Sequence, residues 1–182
     1  MLRVVAGIYK SRKIQEVKSQ KTRPTTDKNK ESMFNSIGQF FEGGRCLDLY
    51  AGSGALGIEA LSRGIEACDF VDLQYKAISV IKKNLESLEI KDKGFVYKRD
   101  ALAFLEMTEN TYDLILIDPP YALEPYQACL SLISSRQLLK KHGIIVLESS
   151  HQTKIEGTNG LYIVKEKKLG QSKITILKGE TI

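Results

Sequence analysis

The 182 residues carry 27 Lys/Arg against 22 Asp/Glu, and 42% are hydrophobic. That suits a single globular domain. No apolar run reaches the ~20 residues of a membrane span and the N-terminus has no long apolar leader, so a cytoplasmic protein is expected.

Leu2 to Tyr9 reads as a strand and Lys13 to Val17 as a second, with Gly7 at the bend. A basic loop, Lys18 to Arg23, is closed by Pro24. Thr25, Thr26 and Asp27 are good helix N-caps, and Met33, Ile37, Phe40 and Phe41 recur at helical spacing up to Gly43-Gly44. Residues 1–45 hold ten Lys/Arg against four Asp/Glu, a net +6, whereas residues 46–182 hold seventeen against eighteen, a net −1. The excess charge is therefore N-terminal. It fits either a phosphate-binding arm or a solvated surface.

From Arg45 strand and helix alternate. Strands are expected at Arg45–Tyr50, Ala67–Asp72, Phe95–Lys98, Asp113–Ile117 and Ile144–Glu148, and helices at Ala55–Arg63, Tyr75–Leu88, Ala101–Met107 and Pro125–Lys140. Such alternation argues for a mostly parallel sheet covered on both faces. Leu161–Lys168 and Lys173–Lys178 join at Gly170-Gln171 without a helix, so an antiparallel pair should close one edge. Cys46, Cys68 and Cys129 lie far apart in apolar segments, and His142 and His151 fall in no ligand spacing. Buried free thiols and no metal site are expected; His142, before a glycine, reads as part of a helix-to-strand turn.

The first strand of the alternating region runs into Tyr50-Ala51-Gly52-Ser53-Gly54, and Gly52, Gly54 and Gly57 match GxGxxG. Glycines let a ligand approach the backbone and turn the chain sharply into a helix. Nicotinamide and flavin enzymes share this pattern, and Asp72, an acid for ribose hydroxyls, fits them too. Asp48 separates the possibilities. An acid just before the loop suits the α-ammonium of S-adenosylmethionine, directly or through water, and repels a pyrophosphate.

The apolar strand Leu114–Ile117 delivers Asp118-Pro119-Pro120-Tyr121 at its carboxyl end, where open α/β sheets place ligands. Two prolines remove N–H donors and leave acceptors, which is what an exocyclic amine requires. Tyr121 offers a face for base stacking. A rigid turn with a packed tyrosine is the plainer alternative. Asp100 opens a helix and reads equally as an acceptor for the adenine amine of the cofactor or as an N-cap.

Together these residues resemble the RsmD family, bacterial 16S ribosomal RNA guanine-N2 methyltransferases. The resemblance runs through Arg3-Val4-Val5-Ala6-Gly7, Thr22-Arg23-Pro24-Thr25-Thr26-Asp27, Lys30-Glu31-Ser32-Met33-Phe34-Asn35, Leu47 to Gly57, Glu59-Ala60-Leu61-Ser62-Arg63-Gly64 and Asp118 to Tyr121. It implies a Rossmann-like seven-stranded methyltransferase fold, with an antiparallel C-terminal strand and a small N-terminal hairpin and helix. The extension would span 1–44 and the catalytic domain 45–182. It implies S-adenosylmethionine held by Asp48, Tyr50, Ala51, Gly52, Ser53, Gly54, Asp72 and Asp100, with Arg23, Thr25 and Thr26 near its methionine end. Asp118, Pro119, Pro120 and Tyr121 would hold the target base, and Arg3, Lys10, Arg12 and Lys13 would meet phosphates of 16S rRNA, within an assembling small subunit. Two departures stand out: Asp72 where the family usually has Glu, and Leu169-Gly170 where Tyr-Gly is usual. An adenine-N6 DNA or RNA methylase is the alternative on the same tetrapeptide, although no segment has the size of a DNA target-recognition domain. A nicotinamide oxidoreductase would not explain Asp48, and a non-catalytic RNA-binding protein would not need Asp118 to Tyr121.

Overall fold

The computed structural model describes residues 2–17 and 26–180. The alternation expected from Arg45 appears as β3 (Arg45–Leu49), α2 (Ala55–Ser62), β4 (Ala67–Asp72), α3 (Tyr75–Ser87), β5 (Gly94–Lys98), α4 (Ala101–Met107), β6 (Tyr112–Ile117), α5 (Tyr126–Ser135), β7 (Leu139–Ser150), β8 (Leu161–Leu169) and β9 (Ser172–Gly179). Ahead of it lie β1 (Leu2–Arg3), β2 (Lys13–Ile14) and α1 (Asp27–Ile37). Among the described residues the sheet order is β5-β4-β3-β6-β7-β9-β8, parallel through β7 and antiparallel at β7–β9 and β9–β8. The fold is thus the Rossmann-like methyltransferase type. The chain steps from β3 to β4 and β5 on one side and returns to β6 on the other. The crevice between β3 and β6 is therefore the topological switch point, where such sheets bind ligands.

Period-two alternation sorts the strand residues onto two cores. Cys46, Leu114, Leu116, Val146, Ile174 and Ile176 pack under α1, α2 and α3 through Met33, Phe34, Ile58, Leu61 and Ile81. Leu47, Leu49, Ile115, Ile117, Ile145, Leu147 and Leu177 pack under α4 and α5 through Phe104, Leu105, Leu130 and Ile133. The three thiols are free and buried. No helix among the described residues is long and apolar enough to cross a membrane.

Four expectations need correction. The first strand is only Leu2–Arg3, because the chain then docks on α2 instead of pairing with β2. The Val5 and Ala6 amides donate to the Glu59 carboxylate (2.9 Å each), the Ile8 amide to Ser62 O and the Tyr9 amide to Ser62 Oγ. Gly7 allows this docking: its φ is +85, and a Cβ there would lie 1.8 Å from Ser62 O. Next, α1 ends at Gly38 (φ 110), so Phe40 and Phe41 lie beyond the helix; Phe41 still packs edge-on against Phe34. The helix expected to Lys140 stops at Ser135. Gln137 adopts φ 52, its amide reaches Ser134 O and that of Leu138 reaches Ile133 O, a Schellman closure without its usual glycine. Finally, His142 (φ 68) lies inside β7, where Tyr112 pairs with Leu139 but Leu114 pairs with Ile144. The extra residues make a bulge on the β7 side, not a helix-to-strand turn.

A buried charge cluster ties the first residues to the sheet. Glu59 takes Arg63 Nε at 2.9 Å and Lys30 Nζ at 3.4 Å, and Lys30 also donates to Arg3 O. Desolvation lowers the Lys30 ammonium despite the carboxylate beside it. All three charged side chains are buried, so they hold one another in place.

Candidate active site

The loop after β3 is shaped by left-handed backbone at Tyr50 (φ 60), Gly52 (φ 57) and Gly54 (φ 79), the last being the N-cap of α2. Gly57 has another reason to be glycine: a Cβ would lie 2.4 Å from the Phe70 ring, so its absence lets α2 rest on β4. The Ala51 amide donates to Val71 O and that of Gly54 to Ala51 O. Asp72 braces the loop from β4, accepting from Gly52 N at 2.9 Å and from Gln74 N at 2.8 Å. Each oxygen keeps a second lone pair for a hydroxyl.

Asp48 lies beneath this loop, not open to the crevice. It is 1% exposed, and its Oδ2 accepts from Gly57 N at 2.9 Å. Burial raises its carboxyl from 3.8 to about 8; the Gly57 hydrogen bond works against the rise, and the nearby Asp72 charge adds to it.

Asn84 on α3 links the loop to the N-terminal segment, a tie the sequence gives no motif to find. Its amide donates to Ser53 O (2.9 Å) and Gln15 O (3.0 Å) and accepts from Gln15 N (2.8 Å). Arg23 and Thr25 lie outside the described residues. Thr26 serves as the N-cap of α1, accepting from Asn29 N at 3.2 Å. Asp100 likewise caps α4 through Ala103 N at 3.0 Å, so the N-cap reading holds at that position. The Tyr50 phenol lies against the Cys129 thiol, and burial raises both.

Across the switch point, Asp118-Pro119-Pro120-Tyr121 follows β6 directly. Asp118 is half-buried, Pro119 buried and Pro120 exposed, while Tyr121 presents 46% of its surface to solvent. Tyr126 on α5 donates to Glu148 O at 3.1 Å. Burial raises its phenol, and the charges of Asp118, Tyr121, Glu124 and Glu148 push the same way. Sequence reasoning missed Glu148. It ends the apolar run of β7 as Asp118 follows that of β6, which was the available signal.

The four candidate phosphate contacts are all exposed, but they are not equivalent. Arg3 Nε is 2.7 Å from Asp27 Oδ2, and Arg12 donates to Ser87 O at 2.7 Å. Lys13 stands opposite Arg3 in the β1–β2 register, and Lys10 lies in the connecting turn.

A glycine loop, an acid beneath it and a DPPY turn thus meet at the switch point, and the chain has relatives that match it over nearly its whole length. The family model described as "Conserved hypothetical protein 95" matches residues 2–178. The "Putative rRNA methyltransferase YlbH" of Bacillus subtilis is 44% identical over 97% of this chain and 98% of its own length. The "Ribosomal RNA small subunit methyltransferase D" of Haemophilus influenzae is 31% identical over 93% of this chain and 89% of its own. This chain belongs to the RsmD family of ribosomal RNA methyltransferases. Among solved structures, the "Putative methyltransferase yhhF from Escherichia coli" superposes with a TM-score of 0.86 at 26% identity, covering 100% of this chain and 99% of that one. The family match begins at residue 2, so the N-terminal segment is shared with the family.

Proposed function

We propose that the protein transfers a methyl group from S-adenosylmethionine to the exocyclic N2 amine of a guanine in 16S rRNA. The observation that carries this reading is the pair of strand ends at the switch point: Asp48 beneath the glycine loop on β3, and Asp118-Pro119-Pro120-Tyr121 after the neighbouring β6. Bound in the crevice, the sulfonium supplies an electrophilic methyl.

The donor set fits this ligand. Asp48 puts a carboxyl under the place of the α-ammonium, whose charge would favour the ionised form that burial disfavours, while Gly52, with no atom within 4 Å of where a Cβ would stand, leaves room over the backbone. Asp72 has lone pairs for the ribose hydroxyls. Asp100 stays a candidate for the adenine amine through lone pairs that its N-cap bond does not use. Tyr50, Ala51, Ser53 and Gly54 form the loop wall, and Arg23, Thr25 and Thr26 are assigned to the methionine end. The Asn84 bridge from Gln15 to Ser53 supports that assignment, because it brings the chain just before this segment to the glycine loop.

At the acceptor end Asp118 takes a hydrogen bond from the target amine, and the Pro119 and Pro120 carbonyls are the further acceptors of the turn. Holding both amine hydrogens draws the nitrogen lone pair out of conjugation and toward the methyl carbon. Orientation of this kind accounts for much of the rate in two-substrate reactions. Tyr121 stacks on the base. Lys10 and Lys13 are the better phosphate contacts of the basic arm, since Arg3 and Arg12 already have protein partners. Residues 1–44 then act as an RNA-facing extension on a catalytic unit of 45–182, and the substrate is 16S rRNA in an assembling subunit.

The test incubates the protein with labelled S-adenosylmethionine and, separately, rRNA, small-subunit particles and DNA, then digests each and identifies the labelled nucleoside. N2-methylguanosine from small-subunit rRNA is expected. Label in N6-methyladenine would instead establish the alternative that the same tetrapeptide allows.

A further inference from the structure

Glu148 is the one buried carboxylate at the strand ends that the proposed reaction leaves unused. It is 6% exposed, and its Oε2 has no hydrogen-bond partner among the described residues. Such a group is costly in a folded chain unless it has a task. Desolvation raises the carboxyl, with the Ser172 hydroxyl working against the rise.

Register fixes where it lies. Leu116 pairs with Val146 and Ile117 with Leu147, the last pair of the ladder, so Asp118 and Glu148 are the next residues of the two neighbouring chains. Alternation within β7 puts Glu148 on the side of Val146, which packs in the core under α2 and α3. Asp48 pairs with Leu116 and shares that side. The Glu148 carbonyl holds the Tyr126 hydroxyl, whose phenol also senses Asp118 and Tyr121. Glu148 therefore lies beside the turn that Asp118 to Tyr121 forms.

Asp118 accounts for the target amine but cannot by itself tell one amino-purine from another. Guanine carries a ring N–H donor at N1 next to its N2 amine. Adenine and 2-aminopurine carry a bare lone pair at N1 beside theirs. We propose that Glu148 is the specificity-determining residue, accepting the N1–H of the target guanine while Asp118 accepts from its N2 amine. A carboxylate facing a ring lone pair repels it, and a site built around a substrate N–H rejects analogues that lack it. This inference rests on the guanine-N2 reading of the site.

The experiment uses 16S rRNA assembled by ligation, with guanine or 2-aminopurine at the methylated position, and compares kcat/KM for the wild type and E148Q. Glutamine keeps the shape but presents either an acceptor or a donor. The wild type should prefer guanine by roughly ten- to a hundredfold, and E148Q should bring that ratio close to one while leaving S-adenosylmethionine affinity unchanged. An E148Q ratio equal to that of the wild type overturns the inference, as does an equal fall on both RNAs. The wild type alone is a second check that needs no variant: equal rates on guanine and 2-aminopurine RNA also overturn it. If the wild type methylates no guanine in rRNA, the underlying reading fails instead, and the two failures are distinct.

Discussion

Asp48 should make the ligand-free protein less stable than it need be. Its carboxyl is raised from 3.8 to about 8 by burial, so the native state binds this proton more tightly than the unfolded chain does. Stability conferred by the protonated form is complete below 3.8 and is lost as pH climbs to about 8, at about 1.4 kcal/mol per pH unit. At pH 7 the loss is on the order of 4 kcal/mol. D48N removes the charge and keeps an oxygen for Gly57 N, but it buries an amide that needs its own partner, a cost of about 1–3 kcal/mol. The expected net gain at pH 7 is therefore on the order of 1–3 kcal/mol, a rise in Tm of roughly 2–12 °C for a chain of this length, and it grows towards pH 8. At pH 4, where the native carboxyl is already neutral, the variant should be no more stable than the wild type, or less so. Thermal unfolding of both proteins at pH 4, 6 and 8 measures this, and calorimetry with S-adenosylmethionine should show roughly ten- to a hundredfold weaker binding by the variant. A difference in Tm that stays constant from pH 4 to pH 8 would refute the reasoning, because it would mean that Asp48 ionises in the fold as easily as in water.

Asp118→Ala should lower single-turnover methylation by about a hundredfold or more while sparing cofactor affinity; binding curves run beside the assay show whether the loss is confined to the reaction. Glu59→Ala strands the buried Lys30 and Arg63 charges and removes the acceptors of the Val5 and Ala6 amides. It should cost about 3–5 kcal/mol, read as a falling denaturant midpoint, and a midpoint within error of the wild type would contradict the cluster's role. K10A/K13A should reduce the salt slope of RNA binding by about 0.7–0.9 for each phosphate that is no longer neutralised, whereas R3A should do less because Arg3 already pairs with Asp27.

The alternating body of the fold was legible in the sequence because its signals are local and agree with one another. Strands such as Ala67–Asp72 and helices such as Ala101–Met107 match to the residue. The misreadings have local causes. Gln137 closes α5 in the left-handed region (φ 52), where glycine or asparagine is the usual signal. Leu2–Tyr9 has the composition of a strand, yet the amides of Val5, Ala6, Ile8 and Tyr9 are satisfied by Glu59 and Ser62, more than fifty residues away. No periodicity within the segment could reveal that.

The candidate site divides along the same line. Asp48 and Asp118 could be found because glycines and prolines mark the backbone beside them. Glu148 has no such neighbour: Ile144-Ile145-Val146-Leu147-Glu148-Ser149 reads as a buried strand that happens to end in an acid. What sets Glu148 beside Asp118 is the β6–β7 register, and the bulge between Tyr112 and Leu114 shifts that register within the pair. A one-residue error in aligning the strands would turn the carboxylate to the opposite face. Three acids at the ends of three adjacent strands are therefore one feature of the folded sheet and three unrelated letters in the chain. Under the proposed function, burial holds Asp48 and Glu148 towards their neutral forms until a ligand arrives, and a sulfonium with its ammonium on one side and a base edge rich in N–H groups on the other would each favour the ionised carboxylate that burial alone disfavours.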